Sequence, residues 1–228
     1  MTVGFIGKGT LAKTLALATQ MRGMDATMLD FSTRRPEDCS LVFVAVDVLD
    51  HGKLDEIDAV MVRTLGLGPT ILVSQVPPGY TRKWRKRNSR LYYQVDTLII
   101  NRALERAVFP ERIIVGCDDC EVGVKYVAYL QWLELFNCPI LKMSYESAEF
   151  VKLAINQMLA DQIASANRLS KIAKHVGADW DHVEQALRLD GRIGQAAYIH
   201  PGGINQHLKR DTDTLEKIEA AWTQQAKA

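Results

Sequence analysis

Lys152 and Asn156 stand four residues apart in the stretch SAEFVKLAINQMLA. A four-residue step on an α-helix puts two side chains on one face. The remaining residues of the stretch are largely apolar, and a lysine buried among them beside a nucleotide site could act as a general base or stabilise an oxyanion. Taken alone, the pair suits a polar surface as well, because lysine is rarely fully buried. A second stretch, YIHPGGINQHLKRDTDTL (Tyr198–Leu215), gathers two glycines, two histidines, a Lys-Arg pair and aspartates with little apolar residue to bury. That composition fits a catalytic loop or a polar linker.

A third group of residues points to a ligand. VGFIGKGTLAKTLA contains a G-x-G-x-x-A fingerprint at Gly7–Ala12, after an apolar strand and at the start of a helix. In that context Gly7 allows the tight turn, Gly9 lets the backbone approach a pyrophosphate, and Ala12 keeps helix and strand close. Lys8, Thr10 and Leu11 share the turn, where the helix N-terminus faces the phosphates. Asp30 ends the second strand, 23 residues after Gly7, where an acid bonds a ribose diol and favours NAD over NADP. Arg34 and Arg35 argue the other way. Val46 and Gln75, at the ends of the third and fourth strands, complete the residues expected at the cofactor.

The elements that must position these groups alternate. TVGFI (Thr2–Ile6), ATMLD (Ala26–Asp30), LVFVAV (Leu41–Val46), PTILVS (Pro69–Ser74), RIIVG (Arg112–Gly116) and PILKMS (Pro139–Ser144) read as strands. Helical patterns fall between them at Thr10–Arg22, Lys53–Leu65 and Cys120–Phe136. Apolar residues on consecutive strand positions suit a parallel sheet covered on both faces, so the fold class is α/β, a Rossmann-type doubly wound parallel sheet. After Ser144 the pattern becomes helical. Glu146 to about His175 is one helix of about 30 residues, roughly 45 Å long, followed by helices at Asp179–Leu189 and Asp211–Gln225. The expected organisation is a nucleotide-binding domain, 1–144, and a smaller all-helical domain, 145–228.

With 47% apolar residues, 24% charged residues and a net charge of +1, the chain offers no overall electrostatic case for nucleic acid or a membrane surface. YTRKWRKRNSR (Tyr80–Arg90) places six basic residues around Trp84. It reads as a solvated basic face beside a half-buried tryptophan, or as a contact for an anion. Four cysteines without a secretory signal imply a reduced, cytoplasmic protein, and the lone CDDC at Cys117–Cys120 reads as incidental thiols with no metal site.

VGFIGKGTLA, SQVPPGYT, FPERIIVG, SAEFVKLAINQMLADQIASANRL, GADWDHV, DGRIG and HPGG…KRDT occur in the order found in the UDP-glucose/GDP-mannose dehydrogenase family, which the chain resembles along most of its length. The resemblance implies an NAD-binding Rossmann domain, a helical domain through which two copies pair as a homodimer, and a nucleotide sugar as the small-molecule substrate. It assigns Lys152 and Asn156 as the catalytic lysine and its partner, Asp211 as the aspartate of the family's Lys-Asp pair, and Arg192 to the substrate.

The pattern departs from the family at several points. The family's nucleophilic cysteine, which captures an aldehyde for a second oxidation, falls on His207. Its Thr-Val-Pro turn is Gln75-Val76-Pro77. The two glutamates of its substrate loop fall on Asp96 and Ile100. Asp211 lies 17 residues before Ala228, where the family continues into a third domain. An imidazole cannot form a thiohemiacetal, so the expected reaction is a two-electron alcohol oxidation, with His207 as an acid or base. The alternatives are a β-hydroxyacid dehydrogenase-like enzyme, or an NAD-binding member without catalysis that serves a regulatory or structural role.

Overall fold

The computed structural model describes residues 1–29, 38–47 and 54–225, apart from the side chains of Ile100 and Gln225. Two compact units divide the chain, Met1–Lys152 and Leu153–Ala228. The division falls inside a helix, eight residues beyond Ser144 where the last strand ends.

The first unit is built on a seven-stranded sheet. Its strands are β1 (Thr2–Ile6), β2 (Asp25–Met28), β3 (Leu41–Val44), β4 (Thr70–Leu72), β5 (Leu91–Gln94), β6 (Ile113–Cys117) and β7 (Ile140–Ser144), in the order β2-β1-β3-β4-β5-β6-β7. Alternate residues of each inner strand feed opposite layers. Val3, Phe5, Leu41 and Phe43 pack with Leu11 and Leu15 of α1 (Thr10–Met21) and Trp132 of α5 (Val127–Glu134). Ile6, Val42 and Val44 pack with Ile57 and Met61 of α2 (Asp55–Arg63) and Trp84 of α3 (Tyr80–Arg85). Phe43 anchors the first layer, with ring centroids 4.9 Å from Phe5 and 4.6 Å from Trp132. Continuous apolar runs therefore fold as strands buried on both faces.

The structure departs from the sequence expectations in four places within this unit. LYYQ is a fifth strand, β5, too short and too close to charged residues to stand out by periodicity. β5 pairs antiparallel with β6, whereas every other pair is parallel. The physical reason is the link between them. It holds only a short 3-10 turn (Ile100–Arg102) and the six-residue α4 (Ala103–Val108), so β6 starts from the edge at which β5 ends. The helix expected over Cys120–Phe136 begins only at Val127. Before it the chain is bent by an Asp119 side chain that accepts the N–H groups of Glu121 and Val122, and by Gly123 at φ +64°. Finally, Trp84 is buried and its Nε1 donates to Asp58 at 3.0 Å, while Arg82 and Arg85 both pair with Asp118. The basic face is thus partly neutralised. Asp30, Arg34, Arg35 and the first residue of the helix expected at Lys53 lie outside the described residues.

Helix α6 (Tyr145–His175) runs 31 residues, from the first unit into the second. The second unit adds α7 (Trp180–Leu189) and α8 (Gln206–Gln225). Asp179 caps α7, accepting from Asp181 N–H at 2.8 Å, which satisfies donors the helix cannot. Asn205 does the same for α8, accepting from Leu208 N–H at 2.9 Å. That cap starts α8 five residues ahead of the expected Asp211, so His207 and Asp211 both stand on its opening turns. Among the described residues no helix is long and apolar enough to cross a membrane.

Candidate functional site

The sheet order places a switch point at β1 and β3, since the chain leaves β1 for β2 on one side and returns to β3 on the other. Ligands of open α/β sheets bind outside the carboxyl ends of the strands at such a point. Gly7, Lys8 and Gly9 follow β1 there. A Cβ on Gly7, whose φ is +152°, would run into the Ala45 carbonyl oxygen and meet the Ala12 methyl at 2.9 Å. A Cβ on Gly9 would overlap the Asp47 carboxylate. Gly9 is the N-cap of α1 and, being glycine, brings no side chain to cap its first amides. Two bare glycine backbones before a helix N-terminus are what a dinucleotide pyrophosphate requires. Asp47, which is exposed, stands at the same place.

The other expected cofactor residues divide by what they can offer. Lys8 and Thr10 are exposed. Leu11 is buried in the core beneath the turn, so only its backbone can serve a ligand. Val46 is buried too, and its N–H donates to Ser74 Oγ at 2.7 Å, tying the end of β3 to the end of β4. Gln75 is buried directly after that serine.

Lys152 closes the first unit. Its side chain is only 12% exposed, and its Nζ lies 3.7 Å from Asp96 Oδ2. Asp96 in turn accepts the Leu98 N–H at 2.9 Å, which holds the carboxylate in place. One turn before Lys152, Glu149 is fully buried and accepts the N–H groups of Gly79 (2.6 Å) and Thr81 (2.7 Å). Burial pushes its carboxyl above the ordinary glutamate value, and the two N–H bonds oppose that shift. Glu149 therefore ties the start of α6 to the Pro-Pro-Gly turn before α3.

In the second unit, Asn156 Nδ2 donates to Asp211 Oδ2, and both side chains are buried. A carboxylate only accepts, so this bond fixes the carboxamide and leaves Asn156 Oδ1 as an acceptor. Arg210 Nε donates to the other oxygen, Asp211 Oδ1, at 2.8 Å, with only 9% of the Arg210 side chain exposed.

The loop before α8 is pinned to α6 by three bonds of 2.8 Å. Tyr198 N–H donates to Gln162 Oε1, Gly202 N–H donates to Asn167 Oδ1, and Asn167 Nδ2 donates back to the Gly202 carbonyl. A free linker would have no such anchors. His207 is exposed, one turn before the buried Asp211. Arg192 is not drawn to Asn156 or Asp211 by any described contact. Its side chain is 89% exposed and forks onto Asp190 at 2.7 and 3.0 Å.

Asp47, Glu149 and Arg210 are the residues that reading the sequence missed. Asp47 carried a usable signal, an acid at the carboxyl end of an apolar strand. Arg210 and Glu149 carried none beyond adjacency to residues already singled out.

Three comparisons bear on this arrangement. Residues 146–225 match the central domain of the UDP-glucose/GDP-mannose dehydrogenase family. UDP-glucose 6-dehydrogenase TuaD of Bacillus subtilis (strain 168) is 36% identical over 112 residues, 47% of this chain and 23% of that protein. UDP-glucose 6-dehydrogenase of Drosophila melanogaster is 37% identical over 87 residues, 37% of this chain and 18% of that protein. The matched stretch is thus about a quarter or less of these relatives' length. The fold is that of a UDP-glucose dehydrogenase from the archaeon Pyrobaculum islandicum, with a TM-score of 0.81 at 20% identity, covering 97% of this chain and 64% of that one. Over residues 146–225 the chain is similar to the central domain of the UDP-glucose/GDP-mannose dehydrogenase family, and these two sequence relatives are UDP-glucose 6-dehydrogenases.

Proposed function

We propose that this chain is a dehydrogenase that oxidises one alcohol carbon of a nucleotide sugar, or of a related small alcohol, in a two-electron reaction. The family's oxidant is NAD, which when bound accepts a hydride from the alcohol carbon. Gly7, Lys8, Gly9, Thr10 and the Leu11 backbone hold its pyrophosphate at the α1 N-terminus, and Asp30 its ribose.

The observation that carries the reading is Lys152, largely buried and, among the described residues, loosely paired with one carboxylate at 3.7 Å. An ammonium so held can turn from Asp96 to an oxygen that becomes negative as the alcohol loses its proton to water. Asn156, its Nδ2 engaged by Asp211, presents Oδ1 to the substrate hydroxyl and orients it. Arg210 balances the Asp211 charge, so that carboxylate serves to fix Asn156. Asp96 and Arg192 are assigned to the substrate, with Asp96 also holding Lys152 between turnovers. His207 serves as an acid or base at most, since an imidazole cannot form the thiohemiacetal through which a cysteine holds the aldehyde. A homodimer through the helical unit and a cytoplasmic location complete the reading.

A second reading, an NAD-binding member without catalysis, draws on the exposure of His207 and on Asp211 being taken up by Arg210 and Asn156. One experiment separates the two. Purified protein with NAD is screened for NADH release against UDP-glucose, other nucleotide sugars and small hydroxyacids, beside Lys152→Ala. The enzyme reading expects turnover that Lys152→Ala reduces by about two to three orders of magnitude. NAD binding without Lys152-dependent turnover on any of these alcohols rejects it in favour of the second.

A further inference from the structure

The CDDC stretch takes no part in the proposed reaction, yet its two cysteines flank a single turn. Cys117 is the last residue of β6, where it pairs with Ser144 of β7. It is 1% exposed, with its Sγ 3.5 Å from the Met143 carbonyl oxygen. Cys120 is exposed. Between them the chain doubles back on the Asp119 turn, closed by the Gly123 N–H donating to the Asp119 carbonyl at 2.8 Å. The two cysteines thus flank one turn, three residues apart, and Cys120 is the neighbour that acts most on the Cys117 thiol after burial itself. Lys142 lies over the turn, so that a Cβ on Gly123 would meet its Nζ at 3.0 Å. The pair therefore combines one accessible sulfur, one buried sulfur across the turn, and a neighbouring ammonium.

We propose that Cys117 and Cys120 form a reversible intramolecular disulfide by exchange with a low-molecular-weight disulfide, which makes CDDC a modification site of this chain. The exposed Cys120 thiolate attacks one sulfur of the small disulfide RSSR. The S–S bond breaks, RS⁻ leaves and takes up a proton, and Cys120 carries the mixed disulfide. Cys117 then loses its proton and attacks the Cys120 sulfur, expelling the second RS⁻. Two electrons pass from the cysteine pair to the small disulfide, which ends as two RSH.

Burial, and then the neighbouring Cys120, push the Cys117 thiol up to about 11. The same shift favours the closed form, because dithiols become oxidising when a thiolate stabilises their reduced state, and Cys117 is protonated. Asp118, inside the turn, pairs with both Arg82 and Arg85, so the turn that closes also carries the anchor of α3.

The test incubates the full chain with oxidised glutathione and weighs the tryptic peptide that carries both cysteines, before and after dithiothreitol. The expected wild-type peptide is lighter by two hydrogens, carries no glutathione, and regains them on reduction. Cys117→Ser is expected to stop at a glutathione adduct on Cys120, and Cys120→Ser to remain unmodified on this peptide. A wild-type peptide that stops at the adduct overturns the proposal. So does one that stays reduced while iodoacetamide labels Cys120. The deciding readout comes from the wild-type chain, so poor folding of the Cys117→Ser variant would not blunt it.

Discussion

Glu149 and Asp211 are both fully buried carboxylates, one in each unit, and they are held in opposite ways. Glu149 accepts the backbone N–H groups of Gly79 and Thr81 and faces no described cation at hydrogen-bonding distance, and burial pushes its carboxyl upward. Asp211 faces a guanidinium, Arg210, and a carboxamide, Asn156. The first arrangement ties a helix start to a turn. The second locks the orientation of a neutral polar side chain by balancing a buried charge. Burial alone therefore does not mark a residue for chemistry, whereas the identity of its partners says what it can do.

The sharpest way to break the comparison is Arg210→Met. It leaves Asp211 buried with Asn156 as its one side-chain donor among the described residues, and removing one partner of a buried pair costs about 3–5 kcal/mol. Urea unfolding should show a loss near the lower bound of that range, since Asn156 remains. An unchanged midpoint would mean that the guanidinium does not balance Asp211.

Glu149→Gln is the next largest. Its amide group must turn an N–H toward one of the two backbone donors, leaving it unsatisfied at a cost of about 1–3 kcal/mol. The pH dependence sharpens the contrast. A carboxyl whose folded value is raised contributes stability that is fully present below its unfolded value, ordinarily 4.5, and is lost as pH rises through the folded value. The wild-type advantage over Glu149→Gln should therefore be largest in acid and shrink as pH rises above that range. A gap that widens with pH would show that the two N–H bonds outweigh burial.

The smallest effect concerns the nucleotide cradle. Asp47→Asn removes a negative charge beside Gly9 and should tighten NAD binding about threefold, the ~0.7 kcal/mol that a solvent-screened repulsion costs. Equilibrium titration of NAD against both proteins measures it. Weaker binding would assign Asp47 to holding the cofactor rather than opposing it.

These groups were not equally legible in the sequence. The cradle was readable because a glycine's function depends on its own backbone and immediate neighbours. Ala45, the residue against which Gly7 packs, comes from another apolar run that was read as a strand anyway. The inner strands were legible for the same reason, and β5 was not, because LYYQ signals itself only once Tyr93 and Gln94 pair with β6. The bond between Asn156 and Asp211 spans 55 positions, and no local pattern announces it. Arg210 was obscured differently. Neighbours on a helix point about 100° apart, so adjacency gave no reason to expect its guanidinium to turn onto Asp211. The start of α8 hid behind two glycines and a proline, although Asn205 is a good cap in retrospect.

His207, exposed where the family resemblance sets a nucleophilic cysteine, turns the account into a question of stoichiometry. The direct measurement is NADH formed per molecule of alcohol consumed, run to completion with excess NAD on whichever substrate the screen identifies. Two-electron chemistry predicts one NADH per alcohol and a carbonyl product that hydrazine traps. Two NADH per alcohol, with a carboxylate as product, would contradict it.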